Sequence, residues 1–379
     1  MKTLFWIICP ASITILMFKG HLFLWSWRTV GTYLTFWIAG LTSFPILSIL
    51  LKKATCRNSK KGEAIYGLDH GRLNLDLPTT MWMNMGYWKV RKPLPVTLFV
   101  SLMSIQKAEA SDLRHASSAL LNEVLKSAGL LNSSDDSLSE RRISILDVGF
   151  GCGDQTMALK DCLIETRTTY VGITNNQAQH AYAEQRIQKA CAVHPESFES
   201  YRLFCADAAK PQSWNKRLMS EVLSLTVKKA AVTPDEEVWL LALDTLYHFS
   251  PSREPILEFS VSKLKASLMA FDLLLSDSAT PTSRLLLSII ARFMGCPAGA
   301  FLTEAEYRHM LENVGYKGDV IIRDISEHCF GPLARFLERR EKELAAIGLG
   351  IGPFRIAKWL FKWWARSRIV RGVIVIAKI

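Results

Sequence analysis

Residues 145–156 read ILDVGFGCGDQT. An apolar run opens the stretch, Asp147 closes it, and Gly149, Gly151 and Gly153 follow at alternate positions before a polar segment begins. The preceding Ile143 and Ser144 extend the run to the length of a buried strand. Glycines at a strand exit permit a tight turn and let the backbone approach a ligand closely. The spacing is GxGxG, not the GxGxxG of dinucleotide folds. An acidic residue two positions before the first glycine suits a ligand with positive charge or hydrogen-bond donors near the loop. Strand, glycine turn and helix in that order form the opening unit of an α/β sheet.

Working outward, the same alternation continues. TYVGIT (169–174), YRLFCAD (201–207), EVWLLALD (237–244) and SLMAFDLLL (267–275) are short apolar runs bounded by turns. NNQAQHAYAEQRIQKACAV (175–193) has helical composition between two of them. LTEAEYRHMLENVGYKG (302–318) predicts a helix with Thr303 as N-cap, Glu306 three residues on and a glycine stop. DVIIRDIS and VIVIAKI read as two late strands, and SDLRHASSALLNEVLKSAGL (111–130) as a helix ahead of the first strand. Strands alternating with helices predict a parallel sheet covered on both faces.

Taken with its neighbours, ILDVGFGCGDQT resembles motif I of the class I S-adenosylmethionine (SAM)-dependent methyltransferases, in their small-molecule, sterol- and tocopherol-type branch. YVGITNNQAQ (170–179), CADAAK (205–210), LALDTLYHFSPSR (241–253) and the upstream MNMGYW (83–88) are similar to further motifs in the family's order, over roughly residues 80–379. The resemblance implies a Rossmann-like, doubly wound, seven-stranded methyltransferase sheet with SAM as cofactor. It implies that Asp147, Gly149, Gly151 and Gly153 line the methionine moiety. Asp207 would face the adenine amino group, with Ala208 beside it, and Asp244 would close the site below the sulfonium. Where most of the family holds the ribose with an acidic residue, this chain has Thr174 and Asn175, with Gln177 just beyond. Tyr87 and Trp88 would form part of a lid.

Methyl transfer is mostly positioning, and a base is needed only if the nucleophile must lose a proton. His248, directly after the fourth strand of the sheet domain, is the candidate base, because sites in open α/β sheets gather at strand C-terminal ends. Tyr247 is placed to orient an acceptor. Arg253 reads as a structural partner for a carboxylate. No metal site is expected: the eight cysteines are scattered without a CxxC pair, which also points to a reducing compartment.

The ends of the chain carry a different message. Residues 3–18 and 29–51 contain no charged side chain, and the second stretch is long enough to cross a bilayer. Lys52, Lys53, Arg57, Lys60 and Lys61 follow it. By the positive-inside tendency the remainder would lie in the cytosol, with the endoplasmic reticulum the expected membrane. The domain reading is therefore an anchor of one or two transmembrane helices at 1–61, a lid and helical segment at 62–140, and a SAM-binding domain at 141–379. That last domain would carry an amphipathic helical insertion at 333–368. Much of the net charge of +11 lies toward the C-terminus. In FRIAKWLFKWWAR (354–366) Arg355, Lys358, Lys362 and Arg366 form one helical stripe beside a wide aromatic face, the pattern of a helix lying in a membrane interface. The alternative is a helix packed on the catalytic domain with a solvated basic edge.

The expected partners are a hydrophobic small molecule (sterol, terpenoid, quinone, polyketide or lipid) and membrane lipid, with no nucleic acid. O-methylation is expected first, C-methylation next and N-methylation of a lipid amine or alkaloid third. A protein or RNA methyltransferase and a catalytically inactive membrane scaffold are the other classes left open.

Overall fold

The computed structural model describes residues 80–89, 112–131, 141–163, 166–193, 200–226, 236–297 and 299–379. The two uncharged stretches expected to form the membrane anchor lie outside them. Among the described residues, no helix is long and apolar enough to cross a membrane.

Seven strands form one sheet in the order β3-β2-β1-β4-β5-β7-β6. They are β1 (Arg142–Val148), β2 (Arg167–Thr174), β3 (Ser200–Cys205), β4 (Glu236–Leu243), β5 (Ser267–Leu275), β6 (Val320–Asp324) and β7 (Val370–Ala377). The first five run parallel, whereas β7 lies antiparallel between β5 and β6. Each apolar run expected to be a strand is one. The chain winds outward from β1 through β2 to β3, then returns to place β4 on the other side of β1. That reversal makes the β1–β4 junction the switch point, where open α/β sheets bind ligands beyond the strand C-termini.

Strand alternation divides the core into two layers. Ile143, Ile145, Trp239, Leu241, Met269 and Phe271 face one side. There they meet α1 (Leu113–Ala128), α2 (Asp154–Cys162), α6 (Pro281–Phe293), α8 (Phe330–Ala345) and α9 (Phe354–Ser367). Leu146, Val148, Leu240, Ala242, Leu268 and Ala270 face the other. Their partners are α4 (Lys216–Ser224), α5 (Glu254–Phe259) and α7 (Glu304–Val314). A further helix, α3 (Gln177–Val193), connects β2 to β3. Helix α7 starts with the expected capping box: Glu306 N donates to Thr303 Oγ1 and Thr303 N to Glu306 Oε2.

Arg253 takes its structural role. It is buried at the start of α5, ion-pairs with the fully buried Asp272 of β5, and donates to the Ala300 carbonyl. Tyr307 Oη also donates to Asp272, at 2.9 Å. Arg253→Leu should lower stability by about 3–5 kcal/mol, because Asp272 then stays buried without a cation. Urea unfolding will read this, and the further change Asp272→Leu should recover most of the loss.

The insertion expected at 333–368 is a helix pair between β6 and β7. Phe330, Leu333, Phe336 and Leu337 of α8 are core residues, and Leu360 and Trp364 of α9 are buried with them. A deletion of 333–368 would therefore break the fold. The basic stripe of α9 turns toward α8. Arg355 Nε donates to Glu341 Oε1 at 2.8 Å, Lys358 pairs with the same carboxylate, and Lys362 lies 3.9 Å from Glu338.

Candidate active site

The three glycines of the β1–α2 loop all have positive φ, at 111°, 64° and 87°. They differ in what surrounds them. A Cβ on Gly149 would stand 2.8 Å from Thr245 Oγ1, so the loop after β1 touches the loop after β4. A Cβ on Gly151 would meet nothing within 4 Å, because this glycine faces open space in the cavity.

That cavity, about 420 Å³, lies beyond the C-terminal ends of β1, β2 and β4. Its volume falls in the range of small-ligand sites. It brings together Gly149, Gly151, Thr174, Asn175, Asp207, Ala208, Asp244, Tyr247 and His248 from the ends of four strands. Asp207 Oδ1 accepts from Ala209 N at 3.0 Å, and Oδ2 pairs with Lys210 at 3.0 Å. The carboxylate is thus held at the wall while remaining partly exposed.

Several expected positions are corrected. Asp147 does not line the cavity; it is fully buried beneath the glycine loop. Its parity in β1 directs it to the α1–α2 face, where Tyr170 Oη and Gln155 Nε2 donate to Oδ2 at 2.7 and 2.8 Å. Oδ1 has no hydrogen-bond partner among the described residues. Asp147 thus ties the strand to the first turn of α2 and holds the loop from below, while Gln155 carries the contact to the cavity wall. Gly153 is likewise absent from the wall. A Cβ there would press on Ala183 of α3 at 3.0 Å, so the glycine serves helix packing. In place of Gln177, Gln179 lines the cavity, accepting from Thr174 Oγ1 at 3.1 Å. Asn176 caps α3, accepting from Ala178 N and Gln179 N.

Tyr87 and Trp88, expected in a lid, do not line the cavity. Trp88 is buried against Phe336 with Nε1 donating to Met85 O, and Tyr87 packs on His328. They fix a segment whose preceding residues, Met81 to Asn84, face the cavity. Two carboxylates strap that segment down. Met81 N donates to Asp154 Oδ2 at 3.0 Å, and Met85 N donates to Asp244 Oδ2 at 2.7 Å. Asp154 is itself held by Arg186 through contacts of 2.8 Å. Asp154, Gln155, Gln179, Met81 and Trp82 were not singled out from the sequence, whereas Met83 and Asn84 open the MNMGYW motif that was. An acidic and an amide residue directly after Gly153, in a first helical turn, were the available signal for the first two.

Beyond β4, Asp244 has a φ of 64°, an unusual backbone state for a residue with a side chain. Its Oδ1 accepts from Tyr247 Oη at 2.8 Å. One carboxylate therefore fixes both the strap and the Tyr247 ring. Burial pushes Asp244 up from 3.8 to about 7 and keeps Tyr247 a neutral phenol, well above 10. Tyr247 packs against His248, ring centroids 4.3 Å apart, and against Phe301 on its other side. Loss of solvent around His248 lowers its pKa below 6.5. Its Nδ1 lies 3.5 Å from Cys296 Sγ, and burial holds that thiol protonated, up at about 11. With Nδ1 at the thiol, Nε2 is the nitrogen left for an acceptor.

Burial also raises Asp147 to about 7. Both buried aspartates hold a proton in the folded state at pH values where the unfolded chain, near 3.8, has released it. Raising pH across about 4 to 7 therefore favours unfolding, and stability falls across that window. In the ligand-free protein Asp147→Asn should remove up to about 1.4 kcal/mol per pH unit of that slope. Thermal unfolding of both proteins at stepped pH reads the difference; parallel profiles would show that Asp147 is ionised throughout.

No family model matches the chain, and no curated protein matches it. Among solved structures, it is similar to a cyclopropane synthase from Mycobacterium tuberculosis, at 15% identity over 72% of this chain and 87% of that one, TM-score 0.47. It is similar to a putative sarcosine dimethylglycine methyltransferase from Galdieria sulphuraria, at 13% identity over 70% and 87%, TM-score 0.46. A third is a geranyl diphosphate C-methyltransferase from Streptomyces coelicolor A3(2), in complex with Mg2+, geranyl diphosphate and S-adenosyl-L-homocysteine. It matches at 14% identity over 71% and 82%, TM-score 0.43.

Proposed function

We propose that the chain is a SAM-dependent methyltransferase that O-methylates a hydrophobic small molecule at a membrane, with His248 as base. One observation carries this reading. The cavity at the sheet's switch point has a positive-φ glycine loop on one wall and the His248 imidazole, its pKa lowered, on the other. The residues present fit SAM. Gly149 and Gly151 offer backbone to its methionine portion, Thr174, Asn175 and Gln179 offer polar groups to a ribose, and Asp207 and Ala208 offer a carboxylate and a flat wall to adenine. When bound, SAM supplies an electrophilic methyl group on a sulfonium.

The chain's own residues do the rest. The Asp154 and Asp244 straps hold Met81–Asn84 across the cavity and limit water. Trp82, Tyr247 and Phe249 present apolar surface to an acceptor. His248, neutral at cytosolic pH, accepts the acceptor hydroxyl's proton as the oxygen attacks the methyl, and the proton passes to solvent afterwards. Those aromatic walls favour C-methylation of an alkene as a second reading, since ring faces stabilise a carbocation.

The anchoring reading rests on the uncharged stretches at 3–18 and 29–51, with the domain on the cytosolic side of the endoplasmic reticulum membrane. Membranes from cells expressing the full chain, given methyl-labelled SAM, test the whole. Label should enter the organic phase, carried by an ether for O-methylation or a carbon branch for C-methylation. Label in protein or RNA would overturn the assignment, as would no transfer despite SAM binding.

A further inference from the structure

We propose that α6 and α9 together form a face that docks on an anionic bilayer beside the mouth of the cavity, so that an acceptor passes from lipid to His248. This rests on the methyltransferase reading for its purpose, but its evidence is separate.

Both helices meet the site edge of the sheet. Helix α6 follows β5, whose C-terminal end lies at that edge. Helix α9 precedes β7, which runs antiparallel to β5, so its C-terminal end lies there too. Ser276 N donates to Ile369 O at 2.8 Å and joins the two connections. At the other end of α6, Cys296 touches His248. From α9, Trp364 packs on Phe301, and Phe301 packs on Tyr247. Both helices therefore flank the reaction end of the cavity.

Each exposes an apolar arc that the core does not use. On α6, Leu287 and Ala291 face inward, while Leu285, Leu286 and Ile289 are 65%, 47% and 50% exposed. At ~100° per residue these three span an arc of about 100°. On α9, Leu360 and Trp364 face inward, while Ile356 and Trp359 are 76% and 64% exposed. They lie between the buried side and the basic stripe, where Trp359 stacks on Trp363. The basic stripe does pair with α8, yet it still borders the apolar arc, as an interfacial helix requires.

Charge selects the occupant. Neither helix contains an acidic residue, and together they carry Arg284, Arg292, Arg355, Lys358, Lys362 and Arg366. Arg292 and Arg366, with Arg368 next to α9, have no acidic partner among the described residues. Apolar arcs edged by unopposed cations match an anionic headgroup layer over acyl chains better than a protein surface. The uncharged 23-residue stretch at 29–51 belongs to the same chain and suits a lipid environment.

The full-length chain, reconstituted into vesicles of mixed phosphatidylcholine and phosphatidylserine, tests this by photo-crosslinking. Benzoylphenylalanine replaces Ile289, Ile356 or, as control, Arg167 at the N-terminal end of β2 on the opposite sheet edge. Radiolabelled lipid should crosslink about tenfold more at 289 and 356 than at 167, and more with phosphatidylserine than without. Lipid labelling equal to that at 167, confined to one helix, or replaced by crosslinks to a second copy would overturn the docking face. So would indifference to phosphatidylserine. SAM binding is measured on the same samples. Its loss with lipid labelling intact would sink the methyltransferase reading and leave the docking face standing; the reverse would sink the docking face alone.

Discussion

Gly151→Asp should weaken SAM binding by at least about 100-fold while leaving the protein folded. The position separates folding from binding because nothing of the protein stands within 4 Å of the added Cβ. The backbone φ of 64° is the remaining obstacle, and aspartate enters that region more readily than most side chains. The folding penalty is therefore on the order of 1 kcal/mol. The new carboxylate projects into the cavity, where it fills the space against the loop and opposes the carboxylate of a bound SAM. A loss of two decades corresponds to about 2.8 kcal/mol. Calorimetric titration gives the affinity, and thermal unfolding checks the fold. Unchanged affinity would remove the glycine loop from the binding site. Gly149→Asp makes a contrast, because its Cβ would press on Thr245 and damage the fold itself.

His248→Gln should lower kcat by about 10²–10³-fold and leave the affinity for SAM within about twofold, since a positioned base contributes on that scale. Glutamine keeps much of the side-chain size and offers an amide, but it cannot take up a proton. The pH profile carries more information than the loss. In the wild type, desolvation places the His248 pKa below 6.5, and Cys296 Sγ sits at Nδ1. The base form is then the dominant one at neutral pH. kcat/KM should rise with pH along a single limb with its midpoint below 6.5 and level off above it. The variant should show no limb there. Full activity in His248→Gln would shift the chemistry to an acceptor that needs no base, and the carbon-methylation reading would take its place.

The sheet was legible in the sequence because its information is local. The central parallel strands β1, β2, β4 and β5 are buried on both faces, so each appears as a continuous apolar run between turn residues, and the antiparallel β7 reads the same way. ILDVGFGCGDQT announced the loop because only glycine accepts three positive φ values in five residues. His248 and its neighbour Tyr247 were placed by nearness to a strand end, and Asp207 and Asp244 by the resemblance of the short motifs that hold them, both local quantities.

Tertiary structure decided everything that depends on which way a side chain turns and what comes to meet it. Asp147 was assigned to the ligand by its nearness to the glycines, yet strand parity sends it below them to Tyr170 and Gln155. Tyr87 and Trp88 have the composition of a lid, but α1 and α8 offer them a core, and Met81–Asn84 cover the cavity instead. The straps from Asp154 and Asp244 join groups 73 and 159 residues apart, a pairing that no window of sequence contains. The basic stripe of α9 could be drawn on a helical wheel. That Glu341 and Glu338 of α8 would face it, and that α6 would expose a second apolar arc at the same sheet edge, required the packed chain. Sequence fixes periodicity and backbone permission; long-range packing alone fixes which groups are desolvated, and desolvation sets the charge state of the site.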